Sequence, residues 1–374
     1  MLSDTTIFAL ETEINRIYAE VETELLSVIA KELAKGANAS LSPVSWRVEK
    51  LRQMGRLEGK LTETLRQSSR HIQGDLEDSI IKAMLGAGKE DDAILKTVAA
   101  IKSEIKAGTF IEVAKSEAYE KLTKAAIANA RTALNLTNTR ALQSANEVWT
   151  RAVNSAYIKS LTGSTSLDQA VKQSIREMAK QGSYVTYVSS SGRVTTTSLE
   201  VAVRRDVVTS VSQAAAELTI ERCGENGTDL VEVTSHEGSR PEHAVWQGKV
   251  YSLTGATNGY ELLAIATGYG EVDGLCGVNC RHSFYPYFQG LSKEGDPPPS
   301  KKDNNRTYEL TQKQRYIERN IRAAKREVAV CTAGNDPQGA LAAEGRVASY
   351  QAKMRDFIET SGLTRQYPRE QIYS

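Results

Sequence analysis

Two stretches of this chain decide how its fold is interpreted: SHEGSRPEHAVWQGKVYSL at residues 235–253 and GYGEVDGLCGVNCRHSFYPY at residues 268–287. Together they hold three of the four histidines and two of the four cysteines. Histidine and cysteine are the side chains that bind soft metal ions or perform nucleophilic chemistry near neutral pH. Elsewhere the chain is mostly Ala, Glu, Lys and Leu at helical spacing. The sequence therefore predicts a long helical body that carries one small, chemically specialised module.

The bulk properties limit the class of protein. A length of 374 residues exceeds what one hydrophobic core usually organises, so we expect two or three units. The net charge of +1 disfavours a uniformly basic nucleic-acid binder but permits a local basic patch. No stretch approaches the roughly 20 apolar residues that cross a bilayer, so we expect no membrane partner. The start, MLSDTTIFAL, lacks the features of a secretory signal, which favours folding in a reducing cytoplasm.

Residues 1–181 are predicted to form an elongated helical bundle or a set of hairpins. Apolar residues recur at three- and four-residue steps, as Ile7, Leu10 and Ile14 do in the first helix. Periodicity and turn residues divide the segment into helices at about 5–35, 43–72, 74–107 with a break near Gly86–Gly88, 111–135 and 137–162.

The residue composition changes at Gly182, and strands are predicted after it. The pattern predicts a β-hairpin over 184–197 with a turn at 190–192, a helix at 199–223, strands at 230–234 and 249–251, and a short helix at 242–247. We therefore expect an α+β fold, mostly α. Its segments are a helical body (1–181), an α+β module (182–292), a Pro-rich linker (293–306) and a helical hairpin (307–374) with helices at 307–332 and 338–361.

Five side chains are candidate ligands for a structural zinc ion: His236, His243, Cys276, Cys280 and His282. Zinc needs about four nitrogen or sulfur donors, and the Cys276-x3-Cys280 spacing suits a pair of thiolates. A second pair of the zinc-finger kind is missing. The alternative is that the cysteines are small buried apolar residues and the histidines satisfy local hydrogen bonds. A disulfide between the two cysteines would close a tight loop and is the least favoured arrangement.

The same residues would have to carry any catalysis. A Cys280–His243 or Cys280–His282 pair could act as nucleophile and base, and a metal-dependent hydrolase or nuclease built on the five candidates is the alternative function. The flanking sequence matches no known nucleophile turn, and neither a P-loop nor a GxGxxG motif is present. We therefore expect no catalytic residue and no enzymatic activity.

The two stretches also resemble a known family. Their spacing of motif residues is similar to the signature of the phage minor capsid protein 2 family, and in outline to the phage Mu F-like head-morphogenesis domain. The residues that carry the resemblance are Arg240, His243, Gly248, Lys249, Asn279, Cys280, Arg281 and His282, and Trp246 is predicted to anchor the module against its sheet.

This resemblance implies a non-enzymatic minor structural protein of a tailed-phage head. It implies association with the portal or the major capsid protein during head assembly. The protein would then be made in the host cytoplasm and reside in the virion, where the basic stripe described next could contact packaged DNA.

A basic stripe is the second candidate site. Residues 301–330 contain nine Lys or Arg and four Asp or Glu. Four of the basic residues lie on one predicted helical face: Arg315, Arg319, Arg322 and Arg326. Such a stripe can neutralise phosphates of DNA, which would make the protein a DNA-contacting accessory. The alternative is a solvated face, or one paired with the acidic residues beside it.

Overall fold

The computed structural model of the protein describes residues 1–37, 41–103, 111–161, 165–188, 192, 194–292, 295 and 297–372. Within them the fold is α+β and mostly α, as the sequence predicts. No helix in this part of the chain is both long and apolar enough to cross a membrane.

The elements follow one another in three runs. The first is helical and comprises α1 (Asp4–Ala34), α2 (Pro43–Arg52), α3 (Met54–Ser103), α4 (Glu117–Leu161) and α5 (Leu167–Gln181). The second mixes strands and helices and comprises β1 (Tyr184–Val188), β2 (Val194–Ser198), α6 (Leu199–Glu225), β3 (Leu230–Val233), β4 (Val250–Ser252), α7 (Leu263–Thr267) and β5 (Phe284–Tyr287). The last comprises α8 (Lys301–Ala333) and α9 (Pro337–Ser361).

The predicted break near Gly86–Gly88 is wrong, because α3 continues through both glycines. A Cβ built on Gly88 would lie 2.1 Å from a methyl carbon of Val113, so this glycine permits a close approach of another segment. A glycine inside a helix costs about 1 kcal/mol relative to alanine, and the burial of Val113 beside it offsets that cost. The predicted end of this helix near residue 107 lies outside the described residues.

Three other predicted helix boundaries also differ. The helix predicted over 43–72 divides at Gln53, and its second part continues without a break into the helix predicted over 74–107 as α3. The two helices predicted over 111–135 and 137–162 form the single helix α4. α4 contains neither proline nor glycine to end it. Leu134 and Thr137 are buried on it, so packing continues across the expected boundary.

α5 is missing from the predicted helices although its sequence carries a readable signal. The Ser166 hydroxyl accepts a hydrogen bond from the Gln169 N–H, which satisfies a donor of the first turn. Val171, Ile175 and Met178 form a buried stripe at helical spacing. Gly182, with φ of +73°, ends the helix in a conformation that favours glycine.

The strands form two antiparallel sheets. β1 and β2 make the predicted hairpin, with Tyr184 opposite Ser198. Most of its predicted turn, residues 190 and 191, lies outside the described residues. The second sheet has the order β4-β3-β5. All four residues of the central strand β3 are buried, because both of its edges are paired and both faces are covered.

α8 begins at Lys301, six residues before its predicted start. The Ser300 hydroxyl accepts from the Asp303 N–H at 3.2 Å and donates to its carboxylate at 2.6 Å, which caps the first turn. Pro297 to Pro299 precede it in irregular conformation, as three prolines require. Residues 293, 294 and 296 of the predicted linker lie outside the described residues.

The chain groups into two compact units, each made of three separate segments. Unit 1 contains Met1–Glu13, Gly74–Ala133 and Arg204–Gln312. Unit 2 contains Ile14–Gln73, Leu134–Val203 and Lys313–Ser374. Five helices, α1, α3, α4, α6 and α8, contribute residues to both units. The three-stranded sheet and both motif stretches belong to unit 1.

Candidate functional site

The candidate site rests on a small hydrophobic core of unit 1. Val231 and Val233 of β3 cluster with Phe284 of β5 and with Cys223 of α6. Trp246, from the loop before β4, is buried in the same cluster. The sheet and this indole therefore form a fixed base for the loops that carry the histidines and cysteines.

The first of these loops is a series of turns, so the short helix predicted over 242–247 is wrong. The N–H groups of His243 and Ala244 both donate to the Arg240 carbonyl, at 2.9 and 3.1 Å. Gly248, with φ of +66°, reverses the chain, and its N–H donates to the Val233 carbonyl at 2.9 Å. These bonds tie the loop to β3 and position the His243 side chain.

The second loop runs from Gly268 to β5 and is built on unusual backbone conformations. Cys276 and Asn279 have φ of 58° and 56°, which non-glycine residues rarely adopt. A Cβ on Gly277 would lie 2.5 Å from the Val272 carbonyl oxygen, so the loop closes tightly on itself. The strained turn carries Cys280 and the residues after it towards the first loop.

Three of the five candidate ligands meet where the loops approach each other. The Cys280 Sγ lies 3.6 Å from the His243 Nδ1 and 3.7 Å from the His282 Nδ1. The ligand atoms of the three residues all lie within 4.8 Å of one another. The side chains are almost fully buried, with 4% of His243, 3% of Cys280 and 2% of His282 exposed. We call these three residues the His–Cys–His cluster.

The other nitrogen of each imidazole faces an oxygen acceptor. The His243 Nε2 lies 2.8 Å from the Asp273 carbonyl oxygen, and the His282 Nε2 lies 3.0 Å from the Gln247 Oε1. The same Gln247 oxygen accepts the His236 backbone N–H at 3.2 Å, which fixes the orientation of the amide. These contacts assign the Nε2–H tautomer to both rings and leave each Nδ1 facing the sulfur.

Burial dominates the protonation equilibria of the cluster. It lowers the pKa of His243, and it lowers the pKa of His282 well below the usual value, with further contributions from His236 and His243. Burial also raises the pKa of the Cys280 thiol. Since the charged form of each group is disfavoured, the cluster consists of neutral imidazoles and a neutral thiol at pH 7.

The remaining two candidate ligands lie beside the cluster without joining it. The His236 ring stacks on the His282 ring with centroids 4.2 Å apart. The Cys276 Sγ points to the His282 carbonyl oxygen at 3.6 Å, and burial raises the pKa of this thiol well above its usual value. All four cysteines of the chain are buried thiols without a disulfide.

The geometry is poorly suited to nucleophilic catalysis. Cys280 has two imidazoles beside it, as a cysteine nucleophile requires, but its sulfur is buried and its raised pKa opposes the thiolate form. The Trp246 indole packs beside both imidazoles, with its ring centroid 4.7 Å from that of His243 and 4.6 Å from that of His282.

Comparison with known proteins places this module in a family. The model of the family described as "Phage minor capsid protein 2" matches residues 2–359. The chain belongs to the phage minor capsid protein 2 family. A "Structural protein" of Lactococcus phage LL-H is 25% identical over 336 residues, which cover 88% of this chain and 89% of that protein. A "Structural protein" of Lactococcus phage mv4 is 37% identical over 107 residues, which cover 28% of this chain and 86% of that protein. No solved structure is significantly similar to the chain.

Several motif residues of this minor capsid family member form hydrogen bonds within unit 1. The Arg240 guanidinium donates to the Val278 carbonyl and so links the two loops. The Arg281 guanidinium donates to the Glu11 carboxylate of α1 at 2.9 Å. Asn279 adopts a left-handed conformation, and its Oδ1 accepts from Arg204 at 3.5 Å. Lys249 contributes its backbone carbonyl to the Val233 N–H at 3.0 Å, while its side chain is exposed.

Three further residues organise the site, and the sequence predicted this role for none of them. Gln247 and Asp273 orient the two histidines, and the buried Glu11 accepts from both Arg204 and Arg281 at 2.9 Å. Gln247 stands four residues after His243, which is a weak signal at best. Glu11 lies 270 residues from Arg281 along the chain, so no local pattern could pair them.

The four arginines of the predicted basic stripe occupy different environments. The Arg322 guanidinium forms a buried bidentate pair with Glu200 at 2.6 and 3.0 Å. The Arg326 guanidinium bonds to the buried Glu22 carboxylate at 2.7 Å. Burial raises the pKa of the Glu318 carboxyl overall. Arg315 lies close enough to this carboxyl to act in the opposite direction and lower its pKa. Two of the four charges are thus engaged inside unit 2, and a DNA contact through these residues stays a prediction.

Proposed function

We propose that the protein is a non-enzymatic structural component of a tailed-phage head that docks on the portal or the major capsid protein during head assembly. The observation that carries the proposal is the match of the minor capsid family over residues 2–359. The names of the two phage relatives agree with a structural role. On this proposal the protein folds in the host cytoplasm and ends in the virion.

The buried chemistry of the motif stretches supports a role without catalysis. The His–Cys–His cluster is enclosed, and Arg240 and Arg281 bond to atoms of the same chain. A hydrolase or nuclease needs its reactive groups open to substrate. Purified protein incubated with ester, phosphodiester and peptide substrates should produce no turnover. Turnover that vanished in a folded Cys280→Ser variant would contradict this part of the proposal.

Docking has to use the surface, and the module offers exposed apolar side chains for it. Val245 is 64% exposed, Ile265 82% and Val272 73%, all within the α+β module. Exposed apolar side chains are typical of protein–protein interfaces when they form a contiguous patch. These three positions are therefore the first to change in a test of docking.

The test is co-expression with the portal and major capsid proteins of the same phage, followed by sedimentation. We expect the wild type to co-sediment with one of them and the V245D/I265D/V272D variant to be lost from the complex. The matched control is Leu341→Asp in α9, since Leu341 is 70% exposed but lies outside the module. If no head component retains the folded wild type, docking is excluded; if the triple variant is retained as well as the control, these three residues do not mediate it.

A further inference from the structure

We infer that the His–Cys–His cluster is a zinc site, with the Nδ1 atoms of His243 and His282 and the Sγ of Cys280 as the three protein ligands. The ion would join the turn before β4 to the loop before β5. The inference rests on distances, hydrogen bonds and burial in unit 1 and is independent of the proposed docking.

The first support is the separation of the donor atoms. Zn–S and Zn–N bonds of about 2.3 and 2.0–2.1 Å at tetrahedral angles place sulfur and nitrogen ligands about 3.6 Å apart. The sulfur of Cys280 lies 3.6 Å from one Nδ1 and 3.7 Å from the other. The ring centroids of His243 and His282 are 5.6 Å apart, as for two imidazoles that point to a common ion rather than stack. Two of the three donor separations thus match those of a zinc site, and the third is no longer than 4.8 Å.

The second support is an imbalance of hydrogen-bond donors. Each Nε2 carries a proton because it faces an oxygen acceptor, so each Nδ1 presents a lone pair. The Cys280 thiol has a single proton and satisfies only one of these two nitrogens. The other Nδ1 is a buried acceptor facing the sulfur. A divalent ion that replaces the thiol proton, which leaves to solvent, satisfies all three atoms at once.

The third support is the orientation of both histidines by outer partners. Histidines that bind metals almost always donate their other N–H to a carbonyl or carboxylate oxygen. The Asp273 carbonyl has this role for His243, and the Gln247 Oε1 has it for His282. The His236 backbone N–H fixes the Gln247 oxygen in this position, because the amide nitrogen could not accept that bond. The two rings are therefore held in the orientation that binding requires.

The donor set selects the type of ion and the number of protein ligands. Two imidazoles and one thiolate suit zinc, whereas magnesium and calcium prefer oxygen ligands. His236 stacks on a ligand ring, and Cys276 points to a backbone carbonyl, so neither is positioned as the fourth ligand. Three protein ligands, His243, Cys280 and His282, are therefore positioned to bind the ion.

The experiment titrates the chelator-treated full-length protein with Zn²⁺ and, separately, with Co²⁺. We expect one equivalent to bind, with a thiolate-to-cobalt charge-transfer band and the visible absorption of a tetrahedral ion. Cys280→Ser should remove the charge-transfer band, and His243→Ala should weaken binding strongly. Gln247→Leu, which removes an outer partner, should weaken binding by about 10–100-fold. Circular dichroism establishes that each variant is folded.

Two control variants separate the proposed ligands from their neighbours. His236→Ala removes the stacked histidine, and Cys331→Ser removes a buried thiol of α8. Both should bind one equivalent with the wild-type spectrum. The inference is overturned if the folded wild type binds neither ion, if Cys280→Ser keeps the charge-transfer band, or if His236→Ala abolishes binding.

Discussion

Arg222 illustrates how single buried charges stabilise this protein. Its side chain has no exposed surface, and its guanidinium bonds to the carboxylates of Asp92 and Glu225 and to the Ile111 carbonyl. A charge removed from water is tolerated only when its partners replace the lost hydration. The stability of unit 1 therefore depends on keeping this group of residues complete.

We predict that Arg222→Ala lowers the free energy of unfolding by about 3–5 kcal/mol, because Asp92 is left buried without its cation. Urea denaturation followed by circular dichroism measures the change. The matched control is Arg66→Ala, whose ion pair with Glu63 is open to solvent and should contribute nothing measurable. Equal effects of the two substitutions would contradict the argument.

Glycine is required at single positions of the second loop for a steric reason. A Cβ on Gly274 would lie 1.9 Å from the Gly268 carbonyl oxygen, a backbone atom that cannot move away alone. We predict that Gly274→Ala destabilises the protein by about 1–3 kcal/mol. Gly224→Ala in the last turn of α6 meets no atom within 4 Å and should leave stability unchanged or slightly raised. Thermal unfolding of both variants tests the difference; a neutral Gly274→Ala would mean that the loop opens easily.

At the scale of elements, helix ends decide how the segments of unit 2 connect. The Asp336 carboxylate accepts the Gly339 N–H at 3.1 Å at the start of α9. The same carboxylate binds the Arg176 guanidinium of α5 at 2.5 and 2.7 Å. One side chain thus caps a helix and pairs it with another helix. Burial raises the pKa of Asp336, but the bonds from Arg176 and Gly339 outweigh it and hold the pKa below its usual 3.8.

A lowered carboxylate pKa in the folded state makes its stabilisation depend on pH. The contribution of the Asp336 carboxylate to the free energy of unfolding is complete above pH 3.8. It is lost as the pH falls through the lower pKa of the folded state. We predict that Asp336→Asn costs about 1–3 kcal/mol at pH 7, and that its difference from wild type shrinks below pH 3.8. Urea denaturation at several pH values measures this difference.

The control for this pH dependence is Asp168→Asn, which removes a partly exposed i,i+4 pair with Lys172. Its effect should be smaller than that of Asp336→Asn at pH 7, since solvent screens the pair. A gap between wild type and Asp336→Asn that stayed constant from pH 7 to below 3.8 would exclude the proposed role of the Asp336 charge.

At the scale of the whole molecule, each compact unit draws on distant parts of the chain. The N-terminal 181 residues supply Asp92 to unit 1 and Glu22 to unit 2, whereas the cations that pair with them, Arg222 and Arg326, lie beyond residue 200. A helical body cut at residue 181 would keep these buried carboxylates and lose their partners.

We therefore predict that a fragment of residues 1–181 is less helical per residue than the full chain and unfolds without a sharp transition. Circular dichroism with thermal unfolding, and size-exclusion chromatography for association, measure this against the intact protein. A fragment that unfolds cooperatively with the midpoint of the full chain would instead support an independent helical body.

Features of the fold that depend on near neighbours could be predicted from the sequence. The apolar stripe of α1 repeats with the period of a helix, and the β-branched and aromatic residues of β1 and β2 favour strands, so each pattern indicated the type of its element directly. The limits of the helices could be predicted less well. The low helix propensity of Gly88 favours a break in α3, but the packing of Val113 against this glycine overrides it. Five candidate metal ligands could likewise be named from the sequence, but the sequence did not show which three of them come together.

By itself, the sequence determined the helical class of the protein, its hairpin and its family, because each is encoded in local periodicity or in the spacing of a few motif residues. Only the tertiary structure decided that His243 meets Cys280 across 37 residues, and that Glu11 accepts two arginines from far along the chain. It also decided that Arg322 and Arg326 pair with buried glutamates. The physical reason is that a contact between distant residues depends on how the intervening elements pack, which no single local pattern specifies.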